Sequence, residues 1–174
     1  MGAVLAGGLS TRFGSDKALA LLDGQSLIER ALETLSRHCR TVAVIGRIDG
    51  IPDWPAPHMG PLGGLAGALR HAGDSGHEAV LSCGVDSVGL PGDLPERLVP
   101  APACLAAQPV VGLWPVSALP VLESILTGPG RHSVMRFAGA IGARLVNLPV
   151  PPANVNRPED LERLRGDLHR PRKD

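Results

Sequence analysis

Val4-Leu5-Ala6-Gly7-Gly8-Leu9-Ser10-Thr11-Arg12-Phe13-Gly14-Ser15-Asp16-Lys17 decides how this chain is read. A short apolar run feeds a pair of glycines. Five residues then separate Gly8 from Gly14, and a serine and an Asp-Lys pair close the unit. The pattern predicts a buried first strand ending in a loop whose backbone approaches a ligand, because glycine carries no Cβ and tolerates positive φ. Exposed N–H groups in such a loop cradle anions. Arg12 and Lys17 add the mobile positive charge that a triphosphate needs. The Walker loop is excluded, since Ser15-Asp16 intervenes before the lysine and the glycine spacing is wrong. The dinucleotide fingerprint G-x-G-x-x-G is absent as well.

Downstream, Asp23-Gly24 is a turn signal after the apolar Leu19 to Leu22. Ser26-Leu27-Ile28-Glu29 is a capping box, followed by apolar residues at helical spacing that predict a helix ending between Arg37 and Arg40. Thr41 to Ile45 reads as a buried strand stopping at Gly46. The order strand, helix, strand predicts a parallel pair with a right-handed crossover. Proline-rich residues 47–58 read as loop. Leu62, Leu65, Ala66 and Leu69 predict a helix starting just after Pro61, with glycines that permit close packing or ligand approach. Glu78 to Cys83 is a third strand running into Gly84-Val85-Asp86-Ser87, which places an acid just past the carboxyl end of a central strand, where open α/β sheets bind ligands. A short helix over Leu94 to Val99, strands over Ala103 to Ala107 and Gln108 to Trp114, helices over Ser117 to Leu126 and Arg131 to Ile141, and a last strand over Ala143 to Leu148 complete the alternation. Asn156 reads as an N-cap and Pro158 as the first turn of a closing helix.

The composition narrows the function classes. One domain over residues 1–174 is the default, with a frayed tail from His169. Seventeen basic and seventeen acidic residues cancel, which gives no sign of a nucleic-acid or membrane-surface partner. With 2 Trp, 2 Phe and no Tyr, the core must be aliphatic and stacking on single-stranded nucleic acid is disfavoured. Cys39, Cys83 and Cys104 form no C-x-x-C pair and read as small buried residues in a reducing compartment. With no signal-peptide pattern and no long apolar run, the chain is expected to be cytoplasmic. No G-x-S-x-G elbow or Cys/His grouping supports covalent hydrolase chemistry.

The opening stretch resembles the N-terminal signature of the nucleotidyltransferase superfamily, L-A-G-G-x-S-x-R-x-G-x-D-K. Within it, the chain is most similar to the molybdenum cofactor guanylyltransferases. The resemblance runs from Val4 to about Leu164. It implies a three-layer α/β/α, Rossmann-like nucleotidyltransferase fold with a mostly parallel central sheet. Leu5, Ala6, Gly7, Gly8 and Lys17 would bind the nucleotide, joined by Gly60, Pro61 and Leu62 of a G-P-L-x-G segment bordering the base, and by Asp53. Asp86, placed as in the family's C-D-x-P segment, would hold Mg²⁺ against the triphosphate, although Pro91 comes later than the family's proline. Gln108, before a proline, and Asn154 and Asn156, in a segment similar to the family's N-x-N-x-P-E-D-L motif, would face the acceptor. Capping and an edge position are the competing readings for Asn156 and Gln108. Relatives often place an asparagine near the end of the second strand, where this chain has Val44-Ile45-Gly46.

The implied reaction is attack by a terminal phosphate oxygen of the acceptor on the α-phosphorus of an NTP, with pyrophosphate leaving. The acceptor is already an anion, so catalysis rests on positioning and electrostatics. Arg12, Lys17 and Asp86 would be the catalytic residues, with Mg²⁺ as cofactor. By resemblance, GTP and the molybdenum-bound pterin monophosphate are the substrates. A cytidylyltransferase on the same pterin, a guanylyltransferase for another phosphorylated acceptor, and a non-catalytic nucleotide-binding module stay open. So does transient contact with proteins that deliver the pterin or receive the product.

Overall fold

The computed structural model describes residues 1–7, 13, 14 and 16–168. Six strands form one sheet: β1 (Gly2–Leu5), β4 (Val42–Ile45), β5 (Ala79–Gly84), β7 (Ala103–Leu105), β8 (Gly112–Pro115) and β9 (Arg144–Val146). Their spatial order is β4-β1-β5-β8-β7-β9. β1 pairs in parallel with β4 and with β5, and β7 pairs in parallel with β9, whereas β8 runs antiparallel to both of its neighbours. The short link from Leu105 to Gly112 is why. A parallel pair needs a crossover of a dozen or more residues, so this segment can only turn back.

Helices cover both faces. α2 (Gly60–Asp74), α4 (Leu119–Thr127) and α5 (Val134–Ala140) lie on one, and α1 (Leu27–Ser36), α3 (Leu94–Leu98) and α6 (Pro158–Leu168) on the other. Alternate strand residues feed the two cores. Ala3, Leu5 and Val80 pack with Leu65, Leu69, Leu122 and Phe137. Val4, Leu81 and Cys83 pack with Leu27, Leu35, Leu98 and Leu161. This is the expected three-layer α/β/α architecture. Burial pushes the Cys83 thiol up to about 12 and the Cys104 thiol up to about 11, so both stay protonated core residues at neutral pH. No helix among the described residues is long and apolar enough to cross a membrane.

Self-contained local signals form as their residues predict. Asp23 and Gly24 both adopt positive φ (51° and 79°) in the turn joining β2 (Leu21–Leu22) to β3 (Gln25–Ser26), as a tight hairpin requires. Both halves of the Ser26–Glu29 capping box are made. Three expectations need correction. β4 is not a buried strand: it lies at the sheet edge, and of its four residues only Ile45 is buried. The strand expected over Gln108 to Trp114 starts only at Gly112. Pro109 has no N–H for the ladder, and Gln108 to Val111 forms a turn closed by the Val111 N–H on the Gln108 carbonyl at 2.9 Å. The start of α6 is capped from inside: the Asp160 carboxylate accepts from the backbone N–H groups of Asn156 and Arg157, both at 2.9 Å, which holds its carboxyl below the usual aspartate range. Pro158 does open the helix as expected.

Candidate active site

Because β1, β4 and β5 are adjacent and parallel, their carboxyl ends open together on one edge. Three loops converge there. The backbone joins them directly: the Ala6 N–H donates to the Ile45 carbonyl at 3.0 Å, and the Val85 N–H donates to the Leu5 carbonyl at 3.1 Å.

On the β1–β5 side stands an ion pair. Lys17 Nζ lies 2.8 Å from Asp86 Oδ2, and the two side chains are 16% and 22% exposed, enough to reach a ligand at the mouth. Lys17 begins a single 3₁₀ turn, Lys17–Leu19, whose N-cap is Asp16. Asp86 lies two residues past the end of β5. A side chain at Gly84 would displace the Asp86 carboxylate, since its Cβ would fall onto Oδ1. Among the described residues Oδ1 takes no hydrogen bond and lies over Gly84, which leaves one hard oxygen donor without a partner. No group of three or more His, Cys, Asp or Glu that could hold a metal ion comes together among the described residues, and a single carboxylate oxygen suits Mg²⁺, which usually keeps waters and substrate phosphates as its other ligands. The residues present therefore fit that ion.

On the β4–α2 side the lining is glycine. Gly46 has φ of +81°, and a Cβ there would stand 2.7 Å from Gly7 Cα and 3.0 Å from Asp53 Oδ1. A Cβ on Gly64 would come within 3.5 Å of the same oxygen. Asp53 thus sits in a notch formed by Gly7, Gly46 and Gly64. Burial pushes its carboxyl above the ordinary aspartate range, against the pull of hydrogen bonds from the backbone N–H groups of Met59 and His58. Gly7 serves by close approach to Gly46 and not by positive φ; among the described residues of the opening stretch, Gly14 has positive φ, at 76°. Gly60 and Pro61 open α2 beside this notch, while the Leu62 side chain is buried in the core, so only its backbone can serve a ligand.

The C-terminal motif joins from the β5 side. β6 (Ser87–Val88) pairs with β10 (Ala153–Asn154), which sets Asn154 opposite Ser87, and the Val155 N–H donates to the Asp86 carbonyl at 3.0 Å. Gln108 is 6% exposed and ties the two segments together: its Oε1 accepts from Ser87 Oγ at 2.8 Å, and its Nε2 donates to the Pro152 carbonyl at 2.7 Å. Asn154 and Asn156 are exposed. Gly8 and Arg12 lie outside the described residues.

One contact escaped the sequence reading. Arg47, just after Gly46, grips Asp16 with two hydrogen bonds of 3.1 and 2.6 Å, which lowers the Asp16 carboxyl below its usual range. The partners are 31 residues apart and no local spacing signals them.

The sequence that builds this edge, with its Lys–Asp pair and a second acid in a glycine notch, matches a known family over most of the chain. The model of the MobA-like NTP transferase domain matches residues 2–144. The chain belongs to this family. Among the relatives of this MobA-like chain is the molybdenum cofactor guanylyltransferase of Acidiphilium cryptum, 38% identical over 91% of this chain and 90% of that protein. The protein of the same name from Rhodobacter capsulatus is 33% identical over 96% of this chain and 95% of its own length. In fold, the chain is similar to molybdopterin-guanine dinucleotide biosynthesis protein A from Archaeoglobus fulgidus. That likeness has a TM-score of 0.72 and 21% identity, and covers 96% of this chain and 97% of that one. All members of the site except the C-terminal segment from Pro152 to Asn156 fall within the stretch that the family model spans.

Proposed function

We infer that this chain is a guanylyltransferase that transfers GMP from GTP to the terminal phosphate of molybdenum-bound molybdopterin, forming the guanine dinucleotide cofactor and releasing pyrophosphate. The observation that carries this reading is the Lys17–Asp86 pair: residues 69 apart in sequence meet at 2.8 Å where two adjacent parallel strands end. The shared name of relatives at 33–38% identity over nine-tenths of the chain supports the substrates.

In the reaction an acceptor phosphate oxygen bonds to the α-phosphorus, the bond to the β-bridging oxygen breaks, and the electron pair leaves with pyrophosphate. Lys17 turns from Asp86 to the phosphates and offsets the charge that builds on the leaving group. Arg12 does the same from the glycine loop. Asp86 would hold Mg²⁺, which would supply Lewis-acid polarisation of the phosphates. The notch of Gly7, Gly46, Gly64 and Asp53, with the Gly60–Leu62 backbone, takes the nucleoside end. Gln108 fixes the Ser87 and Pro152 segments, so that Asn154 and Asn156 border the acceptor.

A cytidylyltransferase reading has one specific support, the stretch Val44-Ile45-Gly46, which lacks the asparagine that the guanylyltransferase resemblance leads one to expect near the end of the second strand. Calorimetric titration with GTP, CTP and ATP, with Mg²⁺ and then with EDTA, followed by pyrophosphate release with the pterin acceptor, decides between them. Magnesium-dependent preference for GTP is the expected result. Preference for CTP keeps the reaction and changes the product. Binding without pyrophosphate release points to a non-catalytic module.

A further inference from the structure

We propose that Trp54 and Glu123 are positioning residues that fix the nucleoside notch from outside the site; this rests on the nucleotide-binding reading above. Asp53 belongs to an otherwise exposed segment, with Pro55, Ala56, Pro57 and His58 all at the surface. Such a segment needs external anchors to hold one carboxylate in one place. The structure supplies them at the very next residue. The Trp54 backbone N–H donates to the Gly63 carbonyl in the first turn of α2 at 3.0 Å. Its indole Nε1 donates to Glu123 Oε1 on α4 at 2.6 Å. The Arg70 guanidinium of α2 lies 3.7 Å from the ring centroid, in cation–π range.

Under the same segment α2 is bare. Gly63, Gly64 and Gly67 share one face, and a side chain on Gly67 would strike the Pro52 carbonyl, while one on Gly63 would lie 3.5 Å from Asp53 Cβ. These glycines are therefore a bed for residues 52 and 53. Ile51 ties one end of the segment to β4, with its N–H on the Val44 carbonyl at 2.9 Å and its carbonyl under the Gly46 N–H at 2.8 Å. The indole clamp between α2 and α4 fixes the other side of Asp53. A charge-assisted hydrogen bond at 2.6 Å and a stacked guanidinium set one rotamer for Trp54, and through the chain one position for Asp53.

The test is a titration of whichever of GTP and CTP the parent protein binds, with Mg²⁺, using Trp54→Phe, Glu123→Leu and Glu123→Gln, each alone and combined with Asp53→Ala. Trp54→Phe keeps the apolar body and removes the indole donor. Glu123→Leu removes the acceptor, and Glu123→Gln keeps one. In the parent background Trp54→Phe and Glu123→Leu are each expected to weaken nucleotide binding by about tenfold, the scale of one hydrogen bond to a charged group, while Glu123→Gln retains most of the affinity. With Asp53→Ala already present, Trp54→Phe and Glu123→Leu should add almost nothing, since their effect runs through Asp53. Equal weakening in both backgrounds, or no weakening in either, overturns the positioning role and leaves the nucleotide reading standing. Failure of the parent to bind any NTP overturns both.

Discussion

The site holds two aspartates, and their surroundings are opposites. Asp86 meets the lysine of the opening stretch at 2.8 Å at the solvent edge, where each partner neutralises the other until a ligand arrives. Asp53 faces glycines and backbone N–H groups, and burial raises its carboxyl. The first arrangement suits groups whose charge changes during reaction. The second suits an acceptor with fixed geometry, which recognises by position. One side of the site is thus built from mobile charge, the other from backbone shape. They should respond differently to substitution, metal and pH.

The largest difference is expected in turnover. Lys17→Ala and Asp86→Ala should each lower pyrophosphate release by about 10²–10³, the usual loss when one preorganised charge is removed from a transition state, while the thermal midpoint stays near that of the parent. Chelation with EDTA should silence the parent enzyme in the same way and leave the fold untouched. An Asp86→Ala enzyme that still turns over at a Mg²⁺-dependent, near-parent rate would dissolve the contrast between the two acids.

Backbone shape should matter most on the other side. Gly46→Ala places a Cβ 2.7 Å from Gly7 Cα at a φ of +81°, so urea unfolding should show a loss of about 1–3 kcal/mol, together with weaker nucleotide binding. A parent-like Gly46→Ala protein would mean that the notch is wider than Gly7 and Asp53 make it.

The smallest effect is a pair of opposite pH dependences. Asp53 has a raised carboxyl, so its contribution to stability is present below its ordinary value of 3.8 and lost as pH rises through its folded value. Asp53→Asn should therefore be the more stable protein near neutrality and converge with the parent on acidification. Asp16 is lowered by the Arg47 hydrogen bonds, so its contribution is present above 3.8 and lost as pH falls through its folded value. Asp16→Asn should be the less stable protein near neutrality and converge with the parent in acid. Urea midpoints across that range read both slopes, and slopes of the same sign would remove the distinction.

What could be read from residues alone is unevenly spread over these features. The hairpin turn at Asp23-Gly24 and the capping box at Ser26 were legible because each is complete within a few residues. The Gln108 to Val111 turn and the capping of α6 by Asp160 were not, because each depends on which of two local hydrogen-bonding schemes the surrounding chain selects. Gln108 shows the difference clearly. As a polar residue before a proline it was a candidate for contacting substrate, yet both ends of its amide are engaged by Ser87 and Pro152.

By itself, the sequence determined the alternation of strands and helices, hence the α/β class, and marked Lys17 and Asp86 as candidates for the chemistry, because periodicity, glycine spacing and an acid after an apolar run are local properties. Tertiary structure alone decided that β8 runs antiparallel, that β4 lies at the edge, that Arg47 pairs with Asp16, and that the glycines of α2 lie under Asp53 and Trp54. Those outcomes join segments tens of residues apart, and each depends on which elements end up adjacent once both faces of the sheet are covered.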